Sequence, residues 1–457
     1  MFKDDSVKDF RDIASWRMSP AQILTAGFGI LILLGTILLM LPVATKSGER
    51  MSFVDALFMA TSSVCVTGLA VVDTGEYFSR FGQVVIVMLL QIGAFGIMTM
   101  ATLISVILRR RINLRNRLIM QEELNQLTFS GMVRLTLYII QASLVMEFIG
   151  GTILAARFYG DFGLDGIYLG YWHAASAFCN AGFTVLSGDG ATLEDYTNDF
   201  TINMTITTLI ILGGLGFTVM ADIWQNRHIK KFRLLTLQTK VVLATSLMLI
   251  LIGAAAIFIL EYNNPATLGS LPLSGKLLAS YFQSVTARTA GYNTIDIGLM
   301  TNAGLFFVIM LMFIGASPGS TGSGIKTTTF AVIMASIWGM IRGYNAPRLF
   351  QRTINPVIIA KSYTLFFIAA TLVAFSTMLL CMTEKFSFIQ ILFEAVSAFS
   401  TAGLSTGITG DLTDVGKLCL VITMFIGRIG PVTFALALAM RSKKDVVNYP
   451  EGKITIG

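Results

Sequence analysis

The chain has 457 residues, 54% of them hydrophobic and 13% charged, with a formal net charge of +7 and a mean hydropathy of +0.73. Soluble domains carry about 25% charged residues, so this composition excludes an ordinary soluble enzyme. The basic residues sit in short loops between apolar runs, which is the pattern of membrane topology signals rather than of nucleic-acid contacts.

The first 20 residues are polar and charged, and the apolar run after them continues to about Val43. That is too long for a signal h-region, so no cleavable leader is expected. Eight spans are predicted, at 21–43, 81–108, 131–158, 200–224, 239–261, 299–341 (interrupted), 356–382 and 415–440. Shorter apolar segments at 53–66, 171–181, 276–289 and 388–401 cannot cross about 30 Å of hydrocarbon and read as re-entrant helices.

Basic clusters follow every second span: Arg109–Arg111 with Arg115 and Arg117, then Arg227, Lys230, Lys231 and Arg233. Arg342, Arg348 and Arg352 follow the sixth, and Arg441, Lys443 and Lys444 the eighth. The positive-inside rule makes these loops and both termini cytoplasmic. The opposite loops carry Asp161, Asp165, Asp189, Glu194, Asp195 and Asp199, so the short segments enter from outside.

Those segments align on one glycine each: Gly68, Gly182, Gly291 and Gly403, spaced by about 110 residues. Ten positions before each stands an aromatic residue: Phe58, Trp172, Tyr281 or Phe393. A small residue precedes the glycine and a bulky apolar one (Leu69, Phe183, Tyr292, Leu404) follows it. The chain therefore divides into a cytoplasmic N-terminus (1–20), repeats at 21–117, 118–235, 236–352 and 353–440, and a cytoplasmic tail (441–457). Each repeat is span, re-entrant helix, glycine turn, span. Two crossings per repeat keep every copy parallel, which suits a ring around an axis normal to the membrane; inverted-repeat carriers need an odd number. The predicted fold is thus all-α and integral to the membrane, with fourfold pseudo-symmetry about a central pore.

Each re-entrant helix would aim its partially negative C-terminal end at the membrane centre, favouring a cation there. Glycine tolerates positive φ and has no side chain, so the turn can present backbone carbonyls to the lumen. Carbonyl rings can replace the water shell of an ion. The candidate filter is Val66, Thr67 and Gly68; Asn180, Ala181 and Gly182; Thr289, Ala290 and Gly291; and Thr401, Ala402 and Gly403. No carboxylate ring recurs there; only Asp73 and Asp296 lie three to five residues past a glycine.

With the motifs VCVTGLAVVD, FCNAGFTVLSG, TARTAGYNTID and FSTAGLSTGIT, and over about 20–440, the chain resembles the Trk/Ktr/HKT superfamily of potassium transporters. Within it, the chain is most similar to the membrane subunits of bacterial Ktr (NtpJ-like) systems. The resemblance implies a homodimer in the plasma membrane, among its lipids, with potassium as substrate and no bound cofactor. It implies selectivity from the four glycines, and Gly68, where sodium-permeant members carry serine, fits the potassium class. It also implies a separate octameric, cytoplasmic nucleotide-binding ring of RCK type, and leaves sodium open as an activator. The basic loops 109–117, 225–233 and 342–352 and the tail 441–457 are compatible surfaces, though topology explains their charge equally well.

The sixth span is interrupted by GASPGSTGSGIKTTT, residues 315–329. Gly319 and Gly324 have P-loop spacing, but Ile325 stands where the lysine belongs, Lys326 comes one residue late, and no βαβ context flanks the motif. An unwound membrane helix reads better, its freed backbone satisfied by serine and threonine. The resemblance makes Gly315, Ala316, Ser317, Pro318, Gly319, Ser320, Thr321, Gly322, Ser323 and Gly324 an intramembrane gate. The corresponding place in the other second spans reads IGAFG (92–96), LGGLG (212–216) and IGRIG (426–430). Arg428 therefore takes the slot of Ala94, Gly214 and Ala316. A charge deep in a span costs roughly 2.5–3.5 kcal/mol and usually faces a cavity; Arg428 is expected to point into the pore and to hold the loop through backbone carbonyls. Lys326 either does similar work or faces inner-vestibule water.

Cys65, Cys179, Cys381 and Cys419 lack metal-ligand spacing, and His173 and His228 lie far apart, so neither zinc chemistry nor an enzyme is indicated. The rival to a gated pore is an alternating-access cation symporter.

Overall fold

The computed structural model describes residues 20–96, 99, 132–186, 192–226, 234–344 and 346–430. The basic clusters at 109–117 and 441–444, Arg227, Lys230, Lys231, Arg233, Asp189, His228, both expected cytoplasmic termini and the second half of the expected eighth span lie outside these residues.

Among the described residues, four helices are each long and apolar enough to cross a bilayer. They are α1 (Pro20–Leu39), α4 (Met132–Phe162), α8 (Leu237–Glu261) and α12 (Pro356–Thr383). Each leaves large apolar side chains uncovered, such as Ile30, Phe148, Ile259 and Phe375. That is costly against water and natural against lipid.

After each comes a short helix: α2 (Phe53–Val64), α5 (Leu164–Phe178), α9 (Leu273–Thr286) and α13 (Phe388–Ser400). The Ser52 hydroxyl caps α2 by accepting from the Asp55 N–H, and Ser387 and Gln390 form a capping box on α13. Helix α5 begins earlier than the predicted 171, immediately after Gly163, whose φ of 59° lets the chain reverse within one residue of α4. The C-terminal halves of all four are buried, over 58–64, 172–178, 282–286 and 393–400. Burial on every face places these ends at the centre of the bundle. Phe58, Trp172 and Phe393 are buried, and Tyr281 is half-buried.

The second helices are α3 (Arg80–Phe95), α6 (Phe200–Leu215), α10 (Asn302–Phe313) and α14 (Asp414–Ile429). Ser79, Asp199, Thr301 and Thr413 cap them through side-chain oxygens. Glu261 accepts from the backbone N–H and hydroxyl of Thr301, and Glu384 does the same for Thr413. The end of a first helix is thereby tied to the start of the next crossing.

These second helices cover the first parts of the predicted spans 81–108, 200–224 and 415–440, of which 97–98, 100–108 and 431–440 fall outside the described residues. Helices α3, α6 and α14 stop at Gly96, Gly216 and Gly430, with φ of 87°, 95° and 93°. Those are left-handed values that side chains resist. Past Gly216 the chain resumes as α7 (Phe217–Gln225), bent by 94° from α6. The sixth span breaks where predicted, between α10 and α11 (Thr327–Ile341). In the basic 342–352 loop, β1 (Arg348–Leu349) and β2 (Arg352–Thr353) pair antiparallel. Phe350 and Gln351 both have positive φ at that turn, as a two-residue type I′ hairpin requires.

Candidate ion pathway

The chain leaving each buried helix end makes the same turn. Thr67, Ala181 and Ala402 donate their N–H groups to the carbonyls of Ser62, Ser176 and Ser397, five residues back, at 2.7, 2.9 and 2.8 Å. In the third turn Ala290 bonds to Thr286, four residues back, at 3.0 Å. The N–H groups are thus consumed by the helix ends.

The backbone alternates in handedness through each turn. Val66, Asn180, Thr289 and Thr401 have φ of 58°, 59°, 69° and 50°, and the glycines 94°, 69°, 81° and 82°, while the residues between them are not left-handed. Alternation of this kind turns successive peptide groups the same way, so carbonyls face one side. A left-handed non-glycine residue costs about 1–2 kcal/mol and persists only where its surroundings over-determine it. Here the following residues do so: Leu69, Phe183, Tyr292 and Leu404 are at most 2% exposed.

The four glycines meet. A Cβ added to Gly68 would strike the carbonyl oxygen of Ala181, one on Gly182 that of Ala290, one on Gly291 that of Ala402, and one on Gly403 that of Thr67. The contacts run in one direction and close on themselves. A Cβ on Gly291 would also lie 3.1 Å from the Cα of both Gly182 and Gly403. The arrangement is a closed ring of backbone around one axis, with room for no side chain. Beside it, where the chain leaves the glycines, is a cavity of about 510 Å³, bordered by the glycines, Asp73, Asp296, Asn293 and Ser405. Thr67 Oγ1, both amide atoms of Asn180, Thr289 Oγ1 and Thr401 Oγ1 are buried without a hydrogen-bond partner among the described residues. Such groups cost about 1–3 kcal/mol each unless water or an ion serves them.

The 315–324 loop folds against this ring. A Cβ on Gly322 would strike Thr289 Oγ1, and one on Gly324 would lie 3.3 Å from Ser400 Cβ. Ala316 N–H bonds to Ser323 O at 3.1 Å, closing the loop on itself, and Ser320 Oγ donates to Ser317 O at 2.6 Å. Ser317 and Thr321 donate N–H groups to Gly214 and Gly213 of α6, at 3.0 and 3.2 Å, and Phe217 N–H returns a bond to Gly319 O at 2.8 Å. Pro318 O packs 2.6 Å from where a Cβ of Gly216 would be. The left-handed break at Gly216 is what admits the loop. Arg428 Nη1 donates to Thr321 O and lies 3.4 Å from Ser323 Oγ; Nη2 donates to Gly93 O at 2.6 Å and Ala94 O at 3.3 Å. One guanidinium thus joins the loop to α3 through backbone carbonyls. Lys326 Nζ donates to Gly322 O at 2.8 Å, within its own loop.

The candidate filter residues fall in these four turns and 315–324 in the loop that packs against them, while Arg428 on α14 and Lys326, just before α11, bond to that loop. Two features were missed. Of the four left-handed residues before the ring, only Asn180 is of a type that favours that region. The GxxG pairs 93/96, 213/216 and 427/430 were noticed as a repeat, not as helix breaks. Their first glycines have a separate role: a Cβ on Gly93, Gly213 or Gly427 would strike the carbonyl of Val64, Phe178 or Phe399, each four residues before a ring glycine. Gly315 departs from this, facing Ser323 O of its own loop.

Apolar helices of bilayer length around a backbone-lined axis define a multi-pass membrane transport protein. The TrkH family, described as cation transport protein, matches residues 11–448, and the chain belongs to that family. It is 44% identical to the Ktr system potassium uptake protein B of Bacillus subtilis, covering 97% of this chain and 98% of that one. It is 41% identical to the potassium/sodium uptake protein NtpJ of Enterococcus hirae, covering 96% and 98%. The crystal structure of the potassium transporter TrkH from Vibrio parahaemolyticus matches with a TM-score of 0.69 at 16% identity, over 91% of this chain and 85% of that one. That likeness bears on the fold alone.

Proposed function

We propose that this protein takes up potassium ions through the ring formed by Gly68, Gly182, Gly291 and Gly403. The carrying observation is the closed succession of glycine and carbonyl contacts, which leaves a backbone-lined axis with the carbonyls of Thr67, Ala181, Ala290 and Ala402 around it. The relatives' names, potassium uptake protein and potassium/sodium uptake protein, support potassium as the ion. On this reading α1–α3, α4–α7, α8–α11 and α12–α14 are four parallel repeats with fourfold pseudo-symmetry. Val66, Asn180, Thr289 and Thr401 supply an inner layer of ligands.

The 315–324 loop is the gate, held shut by its bonds to α6 and by Arg428. A gate made largely of glycine and small polar residues can change shape for a few kcal/mol, the usual scale of coupling between sites. The relatives named as Ktr systems support a further subunit; on this reading it is a cytoplasmic octameric nucleotide-binding ring that moves the gate, and this chain is a homodimer with cytoplasmic termini. Sodium would act from outside as an activator.

Expression in a cell that lacks its own potassium uptake tests the reading. Growth at low potassium should be restored, with rubidium uptake that saturates and resists excess sodium. Uptake of sodium at the same rate as potassium would overturn it.

A further inference from the structure

The position nine residues before each ring glycine holds Met59, His173, Phe282 and Glu394. Two are apolar and two are not, and the polar ones fall in the second and fourth turns. All lie on the short helices whose ends form the ring.

The two polar side chains do the same thing. His173 Nδ1 lies 2.8 Å from Leu169 O, which can only accept, so Nδ1 carries the proton. Nε2 is then an acceptor, 3.0 Å from the Thr184 hydroxyl and 3.5 Å from Val185 N–H. Glu394 Oε1 accepts from the Ser405 hydroxyl and from Thr406 N–H at 3.2 Å, and Oε2 accepts from the Thr409 hydroxyl at 3.1 Å. Thr184 and Ser405 each stand two residues past their ring glycine, and Val185 and Thr406 three. One acceptor, from one equivalent position, thus grips the same hydroxyl and the same backbone N–H in both turns. Both side chains are fully buried. His173 is enclosed by the rings of Phe158, Trp172 and Tyr292, with centroids 5.5–6.4 Å away.

The first and third turns have no such grip from this position. In the third turn the residue two past the glycine, Asn293, is held instead by Glu194 from outside, at 2.6 Å. Two opposite segments of the outer ring are therefore anchored from behind by buried acceptors, and two are not.

We propose that His173 and Glu394 are paired positioning residues that fix the outward-returning segments of the second and fourth turns, and so sharpen potassium selectivity without touching the ion. This rests on the reading of the four turns as the selective site. A carbonyl ring discriminates ions of different radius only as far as its carbonyls resist following the smaller one, and segments pinned in this way resist.

The test uses the purified full-length chain in liposomes, with potassium flux measured against competing sodium. Glu394→Met and His173→Phe install the residues native to the equivalent positions in the first and third turns. Each should raise the potassium KM relative to that of sodium roughly tenfold, the size expected from losing one or two buried hydrogen bonds, with maximal flux changed less than about twofold. Glu394→Gln and His173→Gln keep an acceptor where it is needed and should retain most of the selectivity. If the Met and Phe variants elute and melt as wild type and keep its selectivity, the proposal is wrong. It is equally wrong if Glu394→Gln loses as much as Glu394→Met, since charge rather than grip would then matter. If the Met and Phe variants do not fold, Ser405→Ala and Thr184→Ala remove the donors from the other side, and unchanged selectivity in both would overturn it. Gly403→Ser run in parallel separates the two levels. Wild-type selectivity in Gly403→Ser indicts the ring itself, whereas a loss there with intact selectivity in the His173 and Glu394 variants indicts only this inference.

Discussion

Gly68→Ser probes the ring at its tightest contact. Gly68 has φ of 94°, and its Cβ would be driven onto the carbonyl oxygen of Ala181, with the Cα of Gly182 3.3 Å away. Left-handed backbone costs a serine about 1–2 kcal/mol, and the collision cannot be relieved by a rotamer because both partners are main chain. The Ala181 carbonyl must therefore swing aside, and it is one of the four proposed ligands. If even 1.4 kcal/mol of the preference for potassium is lost, discrimination falls about tenfold. The same geometry ranks the other turns. A Cβ on Gly403 is as badly placed as on Gly68, whereas on Gly291 the nearest atom, Ala402 O, is 2.9 Å away. Gly68→Ser and Gly403→Ser should therefore be the most damaging and Gly291→Ser the mildest. Rubidium and sodium uptake by cells expressing each variant, normalised to protein in the membrane, gives the ratio. Four variants with wild-type ratios, or Gly291→Ser as the worst, would refute the reasoning.

Other consequences follow from the loop, the packing glycines, the assembly and Glu194. Shortening 317–323 by several residues should raise potassium flux and reduce its dependence on a cytoplasmic partner, as should Arg428→Ala, which releases Thr321 O, Gly93 O and Ala94 O together. A stable, dimeric short-loop protein that conducts no more than wild type would place the gate elsewhere. Gly213→Ala should destabilise the fold by about 1–3 kcal/mol, the overpacking range, because its Cβ meets Phe178 O with no side chain to yield; thermal unfolding in detergent reads this directly. Co-expression of wild-type and ring-defective chains should give graded activity, since each chain holds a whole ring, and full dominance by the defective chain would contradict that. Burial, and then the charges of Asp296 and Asp195, hold the Glu194 carboxyl, in the loop before α6, above its ordinary value of about 4.5. Its contribution to stability is full below that value and is lost as pH rises through the higher folded value. Glu194→Gln, which can still accept from Asn293, should therefore flatten the decline in melting temperature between pH 4 and pH 7.

Much of this was legible because glycine at a fixed spacing is a constraint on backbone, and backbone makes the ring. Gly68, Gly182, Gly291 and Gly403 stood out with their preceding aromatics before any coordinates, as did the interruption at 315–324 and the misplaced charge of Arg428. What escaped depends on conformations that residue type does not announce. Val66, Thr289 and Thr401 are β-branched and would ordinarily avoid positive φ; they hold it in turns fixed by the backbone bonds of Thr67, Ala290 and Ala402 and followed by the buried Leu69, Tyr292 and Leu404. Gly96, Gly216 and Gly430 sit in apolar runs long enough to span, so hydropathy reads through a break that depends on three dihedral pairs. His173 and Glu394 occupy equivalent positions, yet one is a base and the other an acid. Their shared task emerges only from the hydrogen bonds to residues two and three past the glycine.

The most direct test of the central claim is to locate the ion. Crystals of the protein grown in rubidium, and again in sodium alone, should be compared by anomalous scattering at the rubidium edge. Rubidium is predicted on the axis enclosed by the carbonyls of Thr67, Ala181, Ala290 and Ala402, displaced by potassium and not by an equal concentration of sodium. Rubidium bound elsewhere in the chain with none on that axis, or displaced equally by sodium, would contradict it.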